Sequence, residues 1–168
     1  MQAVNYTHAG TVEFLMDADS GQFYFIEVNP RIQVEHTVTE AVTGLDLVAL
    51  QVQVAAGRTL AELGLAEDTP VPERGFAIQW RINAETLDAQ GNATPGSGTL
   101  RRFDLPAGPG VRVDTHGAAG ATPSPHYDTL LAKLIVHSPS RDFADVLRRS
   151  RRALAEVRIE GVATNLNL

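Results

Sequence analysis

The feature that most constrains this chain is the spacing of polar side chains in FYFIEVNPRIQVEHTVTE, Phe23 to Glu40. Glu27, Asn29, Arg31, Gln33 and Glu35 fall on every second position. Alternate side chains of an extended strand point to one face. One face here would carry carboxylate, amide, guanidinium, amide and carboxylate in a row. The other would open with Phe23, Phe25 and apolar neighbours such as Val28. Charged and amide groups are costly to hold near a core unless something pairs with them. The pattern therefore points to a ligand.

A second carboxylate sharpens this reading. Thr11 to Met16 reads as a strand, Asp17 to Gln22 has turn composition, and Phe23 to Asn29 reads as the return strand. A hairpin centred near Ser20 sets Glu13 opposite Glu27. Directly opposed residues have Cβ atoms roughly 4.5–5.5 Å apart, and like charges there repel. A divalent cation removes the repulsion, and Asn29 offers a third oxygen on the same face. Two carboxylates and an amide suit a hard ion, Mg²⁺ or Mn²⁺. A solvated face with two ordinary glutamates is the competing reading, and spacing alone does not separate them.

Further along, Thr37-Val38-Thr39-Glu40 has the spacing of a helix capping box. Gly44 interrupts, and Leu45 to Ala56 reads as a helix closed by Gly57. Arg58 to Leu65 reads as one more short helix, and residues 69–75, TPVPERG, as a linker. The expected division is 1–68, linker 69–75, and 76–168. Strands are expected near 76–83, 98–103, 110–114 and 129–137, with a loop over Asp88 to Gly98. A helix from about Arg141 to Val157 would be capped by Ser140. The fold class is α+β. On the strand 76–83, Arg81 shares a polar face with Gln79 and Asn83, while Phe76, Ile78, Trp80 and Ile82 face the other way. By spacing alone it is an exposed strand arginine.

Several residues read more plainly. His36 reads as a hydrogen-bonded structural histidine, and His8, His116, His126 and His137 lack ligand spacing. Lys133 reads as a strand-edge or packing residue. Tyr127-Asp128 suits turn duty or the orientation of a site group equally. The net charge of −6 argues against a nucleic-acid surface. The main basic patch, Arg148, Arg149, Arg151 and Arg152, reads as a solvated helix face that could meet an acidic partner. With no cysteine there is no disulfide or thiolate zinc site. No signal-like or membrane-length apolar run is present, so no membrane partner and a cytoplasmic location are expected.

The stretch FIEVNPRIQVEH followed by TVTEAVTGLDLV resembles the biotin carboxylase component of biotin-dependent carboxylases, an ATP-grasp enzyme. AIQWRINAET, GTLRRFDLPAGPGVRVD, SPHYDTLLAKLIVH and EGVATNLNL resemble later blocks of the same family, in order. The resemblance implies the C-terminal part of an ATP-grasp domain, antiparallel strands with helices, followed by the biotin carboxylase C-terminal domain, an antiparallel sheet with a long helix. It implies that Glu13, Glu27 and Asn29 hold Mg²⁺ or Mn²⁺ bridging ATP phosphates. It implies that Arg31, Gln33 and the Val34 backbone amide bind bicarbonate, that Glu35 is the general base, and that Arg81 stabilises the biotin enolate. ATP and bicarbonate are then substrates, and biotin arrives on a carboxyl carrier domain that also serves a carboxyltransferase domain.

The family's ATP site also needs a glycine-rich lid and phosphate-binding lysines. This chain has one lysine, Lys133, against thirteen arginines. His116 to Thr122 is rich in small residues but lacks the lysine and the strand-to-helix context of a phosphate loop. The resemblance thus covers only a C-terminal portion, expected to be inactive without an N-terminal part. A non-catalytic assembly role and another ATP-grasp ligase, such as a carbamoyl-phosphate synthetase, are the alternatives. The Gln33-Val34-Glu35-His36 continuation and the Arg81 block argue against the ligase. Three residues depart from the family pattern. Pro30, with Thr37, looks closer to pyruvate carboxylases or large fused acyl-CoA carboxylases. Trp80 replaces a smaller residue. Pro109 stands where an aromatic is frequent, near the interface of the family's bacterial homodimers, and puts that dimer in question.

Overall fold

The structure is a computed structural model that describes residues 2–66, 68–124 and 126–167. Met1 and Leu168, the last residue of the closing block EGVATNLNL, lie outside the described residues. The chain divides between Glu73 and Arg74 into two units.

In the N-terminal unit, β1 (Thr11–Met16) and β2 (Phe23–Asn29) form the expected antiparallel hairpin. Its turn is closed by Asp17, whose backbone pairs with Gln22 and whose carboxylate accepts from the Asp19 and Ser20 amides. Those bonds hold its pKa below the ordinary carboxylate value. Glu13 stands opposite Glu27. Strict alternation would nevertheless put Phe25 on the face of Glu27, because both positions are odd. A bulge separates them: Glu13 pairs with Glu27 and Phe14 with Phe25, which leaves Ile26 without an opposite residue. Val12 and Val28, Phe14 and Phe25, and Met16 and Phe23 therefore share one face. Phe14 and Phe25 meet edge to face at 6.1 Å.

The extended polar row does not continue to Glu35. β2 ends at Asn29. Pro30 has no N–H to donate to a ladder, and it sits at the centre of a tight turn in which the Arg31 amide donates to the Asn29 carbonyl at 2.8 Å. A second turn, from the His36 amide to the Gln33 carbonyl, carries Val34 and Glu35 into α1 (His36–Thr43). The capping box is not used. Glu35 occupies the N-cap without a side-chain cap bond, and Thr37 is buried inside the helix. Glu40 is also buried and accepts instead from the Leu47 amide at 2.8 Å, at the start of α2 (Leu47–Ala55). Asp46 caps α2 through the Ala49 amide. Residues 58–65 form turns rather than a helix. Thr59 and Glu62 satisfy each other's groups there within a single turn.

In the C-terminal unit, β3 (Phe76–Asn83), β7 (Val111–Thr115) and β8 (Leu130–Ser138) make a three-stranded antiparallel sheet in the order β3-β8-β7. Ile82, Leu134 and Val136 are buried beneath α3 (Phe143–Glu156), whose Val146 and Ala153 join the same core. Ile78 and Trp80 pack against it, as the alternation requires. Phe76 meets Phe143 edge to face at 5.3 Å.

Short elements depart from expectation. Within Asp88 to Gly98, β5 (Ala93–Pro95) pairs with β4 (Glu85–Leu87). Of the strand expected at 98–103, only β6 (Arg102–Asp104) forms, paired with β9 (Arg158–Glu160). Asp142, not Ser140, caps α3, accepting from the Ala144 amide. Lys133 lies on the central strand, not an edge, with Nζ 3.2 Å from Asp114. Burial pushes the Asp114 carboxyl up, but Arg112 and Lys133 outweigh it and hold it below its ordinary value. The arginine patch on α3 is largely paired within its own helix, Arg148 and Arg149 to Asp145 and Arg152 to Glu156. No single helix among the described residues is long and apolar enough to cross a membrane.

Candidate functional site

The open end of the hairpin gathers the polar residues singled out by sequence. Asn29 lies between the two opposed carboxylates. Its Nδ2 donates to Glu13 Oε1 at 2.8 Å and to Glu27 Oε1 at 3.0 Å. An amide N–H₂ thus stands where two carboxylate oxygens converge on one point. Amide nitrogen and oxygen are distinguished only by their hydrogen bonds. Turned over, the same side chain would present Oδ1 beside Glu13 and Glu27, an all-oxygen set suited to a hard divalent cation. The residues fit the ion that the sequence pattern implies.

Beyond β2, the turn at Pro30 folds Arg31 back over this cluster. Its Nη1 donates to Gln33 Oε1 at 2.9 Å and to the Ile32 carbonyl at 3.1 Å, and its Nη2 to Asn29 Oδ1 at 3.4 Å. Each of these partners is a neutral oxygen. None of these contacts pairs the guanidinium with a carboxylate. Gln33 Nε2 in turn reaches Glu13 Oε1 at 3.5 Å. Arg31, Gln33 and Glu35 line one open hollow of about 310 Å³, together with Thr11 and His36. The residues predicted from a straight strand are therefore assembled by two turns, and Val34 sits in the second of them.

His36 holds that second turn. Its Nδ1 lies 2.9 Å from the Gln33 carbonyl oxygen, which leaves Nε2 3.9 Å from Glu40 Oε2. This is the structural histidine that the sequence suggested. Glu40 was not singled out by sequence, because its position three residues after Thr37 made it look like a cap.

Arg81 belongs to the C-terminal unit, where β3 places it opposite Lys133, with its side chain exposed. It borders a half-open cleft of about 600 Å³, whose wall includes Trp80, Leu154, Ile159 and Asn165. Asn83 Nδ2 donates to Glu85 Oε1 and Thr129 Oγ1 to Glu85 Oε2. Asp128 accepts from the Leu130 amide, a turn role. His116 and His137 each bond a backbone carbonyl, those of Leu130 and Arg74.

Residues 79–168 match the family described as biotin carboxylase C-terminal domain, and residues 1–63 that described as carbamoyl-phosphate synthase L chain, ATP binding domain. Pyruvate carboxylase of Aspergillus niger is 48% identical over 166 residues, 98% of this chain and 13% of that protein. Biotin carboxylase of Nostoc sp. is 48% identical over 165 residues, 98% of this chain and 35% of that protein. The biotin carboxylase domain dimer of Hydrogenobacter thermophilus 2-oxoglutarate carboxylase, solved with MgADP, ADP and bicarbonate, superposes with a TM-score of 0.84. It is 40% identical and covers 98% of this chain and 34% of that one. The chain thus spans 13% to 35% of the length of these curated relatives.

Proposed function

The chain belongs to the biotin carboxylase family, and from that premise we propose that it supplies the anion- and metal-binding part of an ATP- and bicarbonate-dependent carboxylation of biotin. One observation carries the proposal. Two opposed carboxylates, a bridging amide and a guanidinium bound only by neutral oxygens converge at the hairpin mouth. A negatively charged nucleotide phosphate and a small carboxylate-like anion are what such a set would hold together.

In this reading Glu13, Glu27 and Asn29 hold a divalent cation, Mg²⁺ or Mn²⁺ by donor chemistry. When bound, the cation neutralises phosphate charge as the γ-phosphoryl group passes to bicarbonate. Arg31, Gln33 and the Val34 amide orient bicarbonate. The Arg31 fork matches two of its oxygens in plane. Glu35, at the end of the same turn, accepts the bicarbonate proton as the attacking oxygen forms its bond to phosphorus, and ADP leaves. Arg81 stabilises negative charge on the biotin ureido oxygen during carboxyl transfer. Biotin would be presented by a carrier domain and passed to a carboxyltransferase domain, both parts of a longer carboxylase. The exposed apolar face of the hairpin also favours a further layer over it.

The test is bicarbonate-dependent ATP cleavage with free biotin and Mg²⁺. It compares this chain with the same chain joined to an N-terminal ATP-grasp segment of the family. Activity only in the joined protein is expected. Silence in both would favour the alternative, a folded assembly piece without chemistry. In the joined protein, Glu35→Gln should lower the rate by about 10²-fold or more while ATP binding persists. An unchanged rate removes Glu35 as the base.

A further inference from the structure

We propose that Asn165 is a positioning residue for Arg81, an inference that rests on the reading of Arg81 given above. β3 is an outer strand of its sheet and, among the described residues, pairs only with β8. The ladder between them breaks its register between Ile82 and Asn83, one residue beyond Arg81. The regular ladder with β8 is therefore interrupted close to Arg81. On the outer edge, Asn165 spans that place with its side-chain amide. Its Nδ2 donates to the Arg81 carbonyl at 3.0 Å, and its Oδ1 accepts from the Asn83 amide at 3.0 Å. The amide acts as a single peptide group of a missing fourth strand, bonded to residues i and i+2 as a neighbouring strand would be.

The clamp is itself held in place. Asn165 opens a short 3₁₀ turn, Asn165–Asn167, at the end of an arm whose Val162 is buried beside Leu100 and Leu131. Gly98 has a positive φ, and any Cβ there would collide with the Gly161 carbonyl, so the arm lies flush against residues 96–98. The two bonds join residues 82 and 84 positions apart. They give the strand a support that its own ladder lacks, and the Arg81 guanidinium inherits it. Misplacing such a group by about 1 Å can cost on the order of 10²-fold in rate.

The experiment is a double-mutant cycle in the intact carboxylase that carries this sequence, read as kcat and KM for biotin and for ATP. Asn165→Ala should lower kcat for biotin carboxylation about tenfold and leave KM for ATP unchanged. The double variant Arg81→Ala/Asn165→Ala should be no slower than Arg81→Ala alone, because the clamp acts only through the arginine. A tenfold further loss in the double variant would make Asn165 a general structural tie and overturn the proposal. So would an unchanged kcat in Asn165→Ala. If Asn165→Ala does not fold, Asn165→Asp reads the same question. It keeps the acceptor for the Asn83 amide and loses the donor to the Arg81 carbonyl, so an intermediate loss of kcat is expected, and a wild-type kcat overturns the clamp. Arg81→Ala separates the two levels. If it retains full rate, the reading of Arg81 itself fails. If it is slow while Asn165→Ala is not, only the clamp fails.

Discussion

The hairpin of the N-terminal unit and the sheet of the C-terminal unit use the same device and finish it differently. Each sets polar side chains on one strand face and apolar ones on the other. In the C-terminal unit the apolar face is closed by α3, and Leu134, Val136 and Val146 are fully buried. Every buried apolar side chain among the described residues lies between Ile82 and Val162. Among the described residues of the N-terminal unit only Thr37 and Glu40 are buried, and both are polar. Phe14, Phe23 and Phe25 stand 55%, 68% and 60% exposed. A two-stranded hairpin is marginal in water on its own. The arginine of the C-terminal unit thus rests on a packed core, while the carboxylates and anion turn of the N-terminal unit depend on side-chain hydrogen bonds and on whatever layer covers the hairpin.

The contrast breaks or holds first in a pair of core truncations. Leu134→Ala should cost about 2–5 kcal/mol in the C-terminal unfolding transition. Phe25→Ala in the same chain should change stability by less than about 0.5 kcal/mol. Equal losses in urea unfolding would mean that the hairpin face is packed after all. Amide exchange comes next. The amides of β8 should exchange only on global unfolding, and those of β1 and β2 many-fold faster. A smaller effect is expected from Asn29→Leu, which leaves Glu13 and Glu27 opposed without a bridge. It should destabilise the hairpin by roughly 0.2–1 kcal/mol and abolish Mg²⁺ retention, measured by titration with hairpin amide shifts as the signal.

The smallest effect concerns acid. The Ser138 hydroxyl, and after it Arg149, hold the Asp145 carboxyl down from 3.8 to about 2. A carboxyl depressed in the folded state stabilises it above the unfolded value, and that contribution fades as pH falls from about 4 toward 2. The C-terminal unit should therefore keep its helical signal to lower pH than a Ser138→Ala variant. Coincident acid limbs would show that the Ser138 bond to Asp145 contributes nothing.

The sequence carried much of this because strong periodicity and turn composition coincide in a few places. Glu13 and Glu27 stand symmetrically about Ser20, so their register could be read. The alternation Phe76 to Ile82 named the buried face of β3. Other features left no periodic trace. Ile26 looks like any strand isoleucine, and a bulge shows only in the pairing. Glu27 to Glu35 alternates like a strand although Pro30 ends it, because two turns return the side chains to the place a strand would have pointed them. The three-residue strands β5, β6 and β9 are too short for a period. Thr37 and Glu40 mimic a cap while serving the helix interior and the next helix. Asn165 carries no local signal, since its partners lie more than eighty positions away.

The unpaired Ile26 has a consequence for which changes in length this region can absorb. The extra residue in β2 sets Phe25 and Glu27 on opposite faces although both positions are odd. Flattening the bulge without removing a residue would turn Phe23 and Phe25 toward the carboxylates, whereas deleting Ile26 would leave a regular ladder with Phe25 still opposite Phe14. Added residues between Asp17 and Gln22, beyond the bulge, would only lengthen the turn. Changes in length among homologous hairpins should therefore collect at the tip, and between Phe25 and Val28 only the loss of the single bulge residue should be found.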